Sequence, residues 1–235
     1  MSKREFGDGI LLTLCSYVVK FFLYNCYFLL CNLLLLLYFI TYGFEVSPES
    51  KYVLLVALLP LGPAITALYS SMGKLLLEKD IPATYFFEAY RLNVIQSMKA
   101  WLIIICFILI FYIDILFFVE TTYGIFVVPV LQVLIFLLLL SSFYVFPIIS
   151  KFHLRTVDVF RLSLYYFFAF YKATLFLIAL LLLGATVVYK FPAYTTPFIF
   201  SLSAYVVMFA LSSVFVKTYK RLNISKMIEN GGNEL

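Results

Sequence analysis

The chain has 235 residues, of which 65% are hydrophobic and 12% charged, and its net charge is +5. Soluble domains average about 45–50% apolar and about 25% charged residues, and a water-soluble fold of this length could not hide so much apolar surface. The cations lie at the ends of apolar segments rather than in one patch, which argues against a nucleic-acid partner. The composition therefore predicts an all-α, polytopic membrane helical bundle forming one domain, residues 1–235.

The first apolar stretch begins near Gly9 and continues to Ile40, interrupted mainly by Lys20. As a helix it would be about 48 Å long, which exceeds a hydrocarbon core of about 30 Å. We therefore expect residues 9–20 to form an interfacial helix that leads into the first span. No small-residue cleavage site follows, so we expect this stretch to be retained rather than removed as a signal peptide.

A membrane-spanning helix needs about 20 apolar residues, and six segments approximately meet this requirement. They are residues 21–42, 52–71, 100–119, 124–146, 173–189 and 195–216. With six spans, all of the 17 Lys and Arg residues except Lys51 and Lys190 fall on one side. Because Lys and Arg accumulate in cytoplasmic loops, the sequence predicts that both termini are cytoplasmic.

The Gly62-Pro63 pair interrupts the second predicted span. Pro63 removes a backbone donor within a helix, and Gly62 allows a neighbouring helix to approach closely. The carbonyl freed about four residues earlier would be satisfied by a neighbouring helix or by Thr66. We interpret the kink either as a packing device or as part of a gated path. The candidate kink and packing residues are Gly62, Pro63, Thr66 and Pro147.

Two long cytoplasmic connections, about 73–99 and 147–172, are each predicted to contain an interfacial helix. Pro82 and Thr84 form a start signal in the first, and Thr156 is a plausible N-cap in the second. Both helices are rich in Phe and Tyr and carry a few cations. The candidate contacts for anionic lipid headgroups or a partner's carboxylates are Arg91, Lys99, Lys151, Arg155 and Arg161.

The two connections also share short motifs. Pro63 and Thr66 align with Pro147 and Ser150, and similar Arg-Leu and Lys-Ala pairs follow in both. The pattern indicates either two parallel helix-loop-helix repeats, as in many transporters, or coincidence in a biased composition.

Asp114 is the single acidic residue inside a predicted span. An intramembrane carboxylate is costly, which makes it a candidate for a transport pathway. Asp114 also lies near the outer end of its segment, where it could reach the interface or pair with Lys190. The candidate intramembrane polar residues are Asn32, Asp114 and Gln132, and the neutral ones, together with Asn25, are expected to form interhelical hydrogen bonds.

The sequence contains few groups that could support catalysis. His153 is the single histidine, and no cluster of Cys or carboxylate residues accompanies it, so no metal site is predicted. Neither a G-x-S-x-G elbow nor a phosphate-binding glycine loop is present. We therefore predict a non-enzymatic protein without a metal or cofactor.

The segment "PLGPAITALYSSMGKLLLEKDIPATYFFEAYRLNVIQSMKA" resembles the hallmark of the YesL-like family, a group of uncharacterised bacterial integral membrane proteins. The second signature of that family is similar to this chain at Pro147, Lys151 and Phe152, and its first-span Asn-Leu-Leu at Asn32. The matching residues of the hallmark are Gly62, Pro63, Ala64, Thr66, Ala67, Leu68, Tyr69, Phe87, Asn93, Gln96 and Ser97.

The resemblance implies a multi-pass protein of the bacterial cell (inner) membrane. The family has no established activity, but its genes often lie beside those of carbohydrate ABC importers. This implies an accessory or interaction protein associated with carbohydrate uptake, with the ABC transporter or a second copy of the chain as its partner. The alternative is a small membrane transporter or channel built from the two helix-loop-helix repeats.

The predicted topology can be tested by cysteine labelling. In a variant without the native cysteines Cys15, Cys26, Cys31 and Cys106, a cysteine placed at Lys79 or Lys226 should react with a membrane-impermeant maleimide only after the cells are opened. A cysteine at Lys51 should react in intact cells and serves as the control. Labelling of either cytoplasmic position from outside would contradict the predicted orientation.

Overall fold

The computed structural model describes residues 10–43, 47, 50–78, 81–152 and 154–231. Within these residues the chain forms ten α-helices and no strand, which confirms the prediction of an all-α protein. The helices are α1 Ile10–Cys31, α2 Leu33–Tyr42, α3 Ser50–Ala57, α4 Leu61–Leu75, α5 Tyr85–Phe118, α6 Gly124–Lys151, α7 Thr156–Ala169, α8 Tyr171–Lys190, α9 Pro192–Thr195 and α10 Ile199–Gly231.

Five helical segments of the described chain are long and apolar enough to cross a membrane. They are Leu14–Cys31, Ser50–Leu75 (α3 and α4 together), Tyr85–Phe118, Gly124–Lys151 and Tyr171–Lys190. Two shorter apolar helical stretches are Leu33–Tyr42 and Ile199–Ser212. These segments indicate a multi-pass membrane protein.

The predicted interfacial helices are not separate in the way that the sequence suggested. No break separates residues 10–20 from the rest of α1, and the first part of α5 continues directly into the segment predicted as the third span. Because no Gly or Pro occurs between Tyr85 and Phe118, nothing in the sequence interrupts this helix of 34 residues. In contrast, α7 and α8 are separated at Phe170, whose φ of −112° and ψ of 47° are not helical. The two units of the possible repeat therefore differ.

The α7 helix packs along the sides of α5 and α6. Leu164 and Phe167 of α7 line the same cavity as Phe107 of α5 and Leu137 of α6, and the latter two lie well inside the predicted spans. The Phe-rich and Tyr-rich composition of α7 fits a helix packed on neighbouring helices as well as a headgroup helix, so the interfacial placement of α7 stays a prediction. Thr156 is the first helical residue of α7 rather than its N-cap.

The core of the bundle is built around α4. Twelve of its 15 residues are buried, and α4 packs against α1, α5, α6 and α10. Many of these residues are Gly, Ala, Ser or Thr, which allow helix backbones to approach each other closely. By contrast, α5, α6 and α8 expose large apolar side chains along most of their length, as expected for surfaces that contact lipid.

The beginning of α10 lies beside α1. The Nδ2 atom of Asn25 donates to the carbonyl of Thr196 at 3.0 Å, and its Oδ1 atom accepts from the backbone N–H of Phe200 at 3.2 Å. The rings of Phe28 and Phe200 are 4.9 Å apart. These contacts place the segment before α10 beside Asn25, whereas the predicted spans put residues 21 and 195 at opposite faces of the membrane.

We predict that Asn25→Ala destabilises the protein. Asn25 is fully buried, and its loss would remove the side-chain acceptor of the Phe200 backbone N–H and the amide donor to the Thr196 carbonyl, at a cost of about 1–3 kcal/mol. The free energy of unfolding in mixed micelles, followed by circular dichroism, measures this effect. Thr186→Ala is the control, because the Thr186 hydroxyl is exposed and bonds only within α8. Equal stability of the two variants would contradict the bridging role of Asn25.

Candidate functional site

The second predicted span is interrupted just before the Gly62-Pro63 pair. The α3 helix ends at Ala57 and α4 begins at Leu61, so the break lies at residues 58–60. Pro63 occupies the first turn of α4, where backbone N–H groups have no intrahelical acceptor in any case. It therefore does not kink the interior of a helix, as the sequence suggested. The hydroxyl of Thr66 donates to the Gly62 carbonyl of the same helix at 3.0 Å.

A tryptophan from α5 occupies this interruption. The indole Nε1 of Trp101 donates to the carbonyl of Leu58 at 2.8 Å, so a neighbouring helix satisfies a carbonyl at the break. A methyl group on Gly62 would lie 2.5 Å from Cβ of Trp101, which shows how closely α4 and α5 approach. Sequence reasoning missed Trp101. The available signal was that it is the single Trp of the chain, and a buried indole N–H needs an acceptor.

A second interruption occurs at Asn32, which separates α1 from α2. Its Nδ2 atom donates to the carbonyl of Phe28 at 2.8 Å, which is a bond within its own chain segment rather than the expected bond between helices. The side chain is only 3% exposed, and its Oδ1 atom is the one buried side-chain polar atom of the described residues that has no hydrogen-bond partner. A buried oxygen acceptor is thus left available at this break.

The two interruptions lie at similar heights in adjacent helices. The hydroxyl of Tyr38 in α2 is 3.1 Å from the hydroxyl oxygen of Ser50 in α3, and α2 packs against α3. Asn32 precedes Tyr38 by six residues, and Leu58 follows Ser50 by eight. At a rise of 1.5 Å per residue, the breaks lie about 9 Å and about 12 Å from this contact.

A groove opens where the C-terminal ends of α4 and α6 meet the middle of α10. A methyl group on Gly73 would contact Cε of Met208 and would lie 2.8 Å from Cε of Lys151. The groove has a volume of about 330 Å³ and is lined mainly by apolar side chains together with Lys151; we call it the Lys151 groove. Its walls include Leu76, Leu77, Phe152, Met208 and Phe215. Gly73 and Met208 were not among the sequence candidates.

The other candidate residues are dispersed. Pro147 is buried in α6, which continues through it to Lys151. Asp114 is partly buried and forms no ion pair with Lys190. Gln132 is exposed and does not form the expected hydrogen bond between helices. Four cations, Arg91, Lys99, Arg155 and Arg161, are exposed.

The exposed cations form few contacts of their own. Arg161 lies 3.9 Å from Asp158 one turn earlier in α7. An exposed ion pair of this kind contributes little to stability.

Gln96 and His153 are the remaining polar residues of interest. Gln96, one turn before Lys99, donates to the Leu154 carbonyl at 2.6 Å and so links α5 to the segment before α7. His153 lies outside the described residues, which hold no group of three metal-ligating side chains.

Residues 21–115 match a family model described as "Protein of unknown function, DUF624". The matched segment includes both helix interruptions and Trp101 but ends before the α6 side of the Lys151 groove. The YesL-like resemblance is consistent with this match. No curated protein and no solved structure matches the chain.

We predict that Gly62→Ala lowers the free energy of unfolding by about 1–3 kcal/mol, because the added methyl group forces α4 and α5 apart at Trp101. Gly184→Ala is a matched control, since a methyl group on this helical glycine meets no atom within 4 Å. It should be neutral or stabilise the chain by up to about 1 kcal/mol. Denaturant titration in micelles measures both changes, and equal effects would exclude a tight contact at Gly62.

Proposed function

We propose that the protein is a non-enzymatic accessory or interaction protein of the bacterial cell membrane, associated with carbohydrate uptake. The proposal includes six membrane spans, cytoplasmic termini and membership of the YesL-like group. The observation that carries the proposal is the solid packing around α4, where small and polar residues are enclosed by four other helices. Such a core suits a rigid scaffold better than a moving gate.

The hydrogen bonds of the buried polar residues support this role. Several of them donate to the carbonyl four residues earlier in their own helix, namely Thr66, Ser71, Asn93 and Ser97. A hydroxyl or amide that is satisfied within its own helix is not available to line an aqueous path. The interior polar groups therefore favour structure over conduction.

The docking surface that we propose comprises exposed cations on α5 and α7. Arg91, Lys99 and Arg161 are exposed, and Arg91 lies beside exposed Leu92. Positive charge next to apolar surface suits either anionic headgroups or the acidic residues of a membrane partner. The choice of a carbohydrate ABC transporter, or of a second copy of this chain, rests on the family resemblance.

A small transporter or channel is the second candidate. The neighbouring interruptions at Asn32 and at residues 58–60 favour it, because transporters bind substrates at discontinuous helices. The unpartnered Oδ1 atom of Asn32 would then accept a hydrogen bond from the substrate, and Asp114 would be the coupling group.

Crosslinking and reconstitution separate the two candidates. We expect crosslinking in native membranes to recover the membrane subunit of a carbohydrate importer or a second copy of the chain, and charge reversal by Arg91→Glu to reduce the yield severalfold. Lys190→Glu is the control on the predicted outer side. Liposomes with the purified protein should take up no sugar or ion. Uptake by these liposomes, with no partner recovered, would overturn the accessory role.

The transporter candidate has its own test in Asp114→Asn. If liposomes do show uptake, a coupling role predicts that this variant loses the dependence on an ion gradient while the bundle remains folded. Unchanged uptake would exclude Asp114 from the pathway.

A further inference from the structure

Lys151 lies in an unusual position for a cation of this chain. Its side chain is partly buried at the end of α6, and its terminal carbon lies across Gly73 of α4. Exposed cations such as Arg91 and Lys99 project from helix surfaces, but Lys151 lines an otherwise mainly apolar groove. Because a side chain at position 73 would collide with Lys151 and Met208, the glycine keeps this space open for the ammonium group.

No carboxylate of the described residues lies within 4 Å of the Lys151 ammonium group. Glu78, at the end of the neighbouring helix, is 3.8 Å from the Nζ atom of Lys74 instead. Lys74 in turn lies over the ring of Tyr85, 4.2 Å from its centroid. The charge of Glu78 also acts on Lys151, but no direct ion pair neutralises this partly buried ammonium group, so a bound anion would stabilise this position.

We propose that the Lys151 groove binds one anionic phospholipid, with its phosphate at the Nζ atom of Lys151 and an acyl chain along the apolar wall. The apolar side chains of Leu77, Phe152 and Phe215 on three walls fit a hydrocarbon chain, and a soluble phosphate would leave them uncovered. The charge of Lys151 complements the phosphate, with which a lysine ammonium group forms charge-assisted hydrogen bonds.

The bound lipid would join three elements of the bundle. The groove lies between α4, α6 and α10, so an acyl chain there would complete the packing between the ends of α4 and α6 and the middle of α10. The inference rests on the membrane placement in the proposed function but not on the carbohydrate partner. Failure of lipid binding would therefore leave the crosslinking result unaffected.

Native mass spectrometry of the full chain in detergent micelles tests the proposal. Titrated phosphatidylglycerol should bind as one retained molecule, and phosphatidylcholine with the same acyl chains should bind at least about fivefold more weakly. Lys151→Met should weaken phosphatidylglycerol binding about tenfold, because it removes the charge but keeps an unbranched side chain. Lys172→Met, at an exposed cation of α8 that belongs neither to the groove nor to the proposed docking surface, should bind like the unaltered chain. Circular dichroism verifies that each variant is folded.

Two further experiments distinguish binding of a lipid from binding of a free anion. Ser212→Phe fills the groove from α10 and keeps Lys151, so it should also reduce lipid retention. Inorganic phosphate at millimolar concentration should not displace the lipid. Equal binding of the two lipids by the unaltered chain, undiminished binding by Lys151→Met or Ser212→Phe, or full displacement by phosphate would each overturn the proposal.

Discussion

The close approach of α4 and α5 at Gly62 and Trp101 is the contact on which the rest of the bundle depends. Helices in a bilayer gain no hydrophobic free energy from association, so they rely on close packing and hydrogen bonds. Gly62 lets the Cβ atom of Trp101 approach, and the indole then reaches the Leu58 carbonyl at the end of α3. This one side chain therefore joins α5 to both halves of an interrupted segment, and α4 is positioned to receive α1, α6 and α10.

At both helix interruptions a side-chain N–H adds a second hydrogen bond to a carbonyl that also accepts from a backbone N–H, that of Leu61 at Leu58 and that of Asn32 at Phe28. A break exposes backbone groups, and each unsatisfied group costs several kcal/mol in hydrocarbon. At residues 58–60 a donor comes from another helix, whereas at Asn32 the side-chain amide donates to Phe28 within the same segment. The local solution leaves the Oδ1 atom of Asn32 without a partner. The break at residues 58–60 is therefore covered by a neighbouring helix, whereas the break at Asn32 retains a free hydrogen-bond acceptor.

The cations of the chain divide by environment rather than by residue type. Arg91, Lys99 and Arg161 are exposed on helix surfaces, where single charges contribute little to stability but can attract anionic partners. Lys151 is enclosed by α4, α6 and α10, and its apolar surroundings make an anion there more valuable. Sequence position near a predicted loop placed all of them in one class, and the packing around Gly73 separated Lys151 from the rest.

The sequence by itself determined the helical class, the apolar segments and the importance of the Gly62-Pro63 region, because composition and local periodicity carry these properties. Only the tertiary structure decided the packing of α7 against α5 and α6, the contact of Trp101 with a carbonyl 43 residues away and the contact of Asn25 with Phe200, 175 residues along the chain. The Lys151 groove likewise needs residues from three helices. These contacts depend on how helices cross, and in a chain that is apolar on nearly every helix surface, periodicity does not specify which surfaces meet.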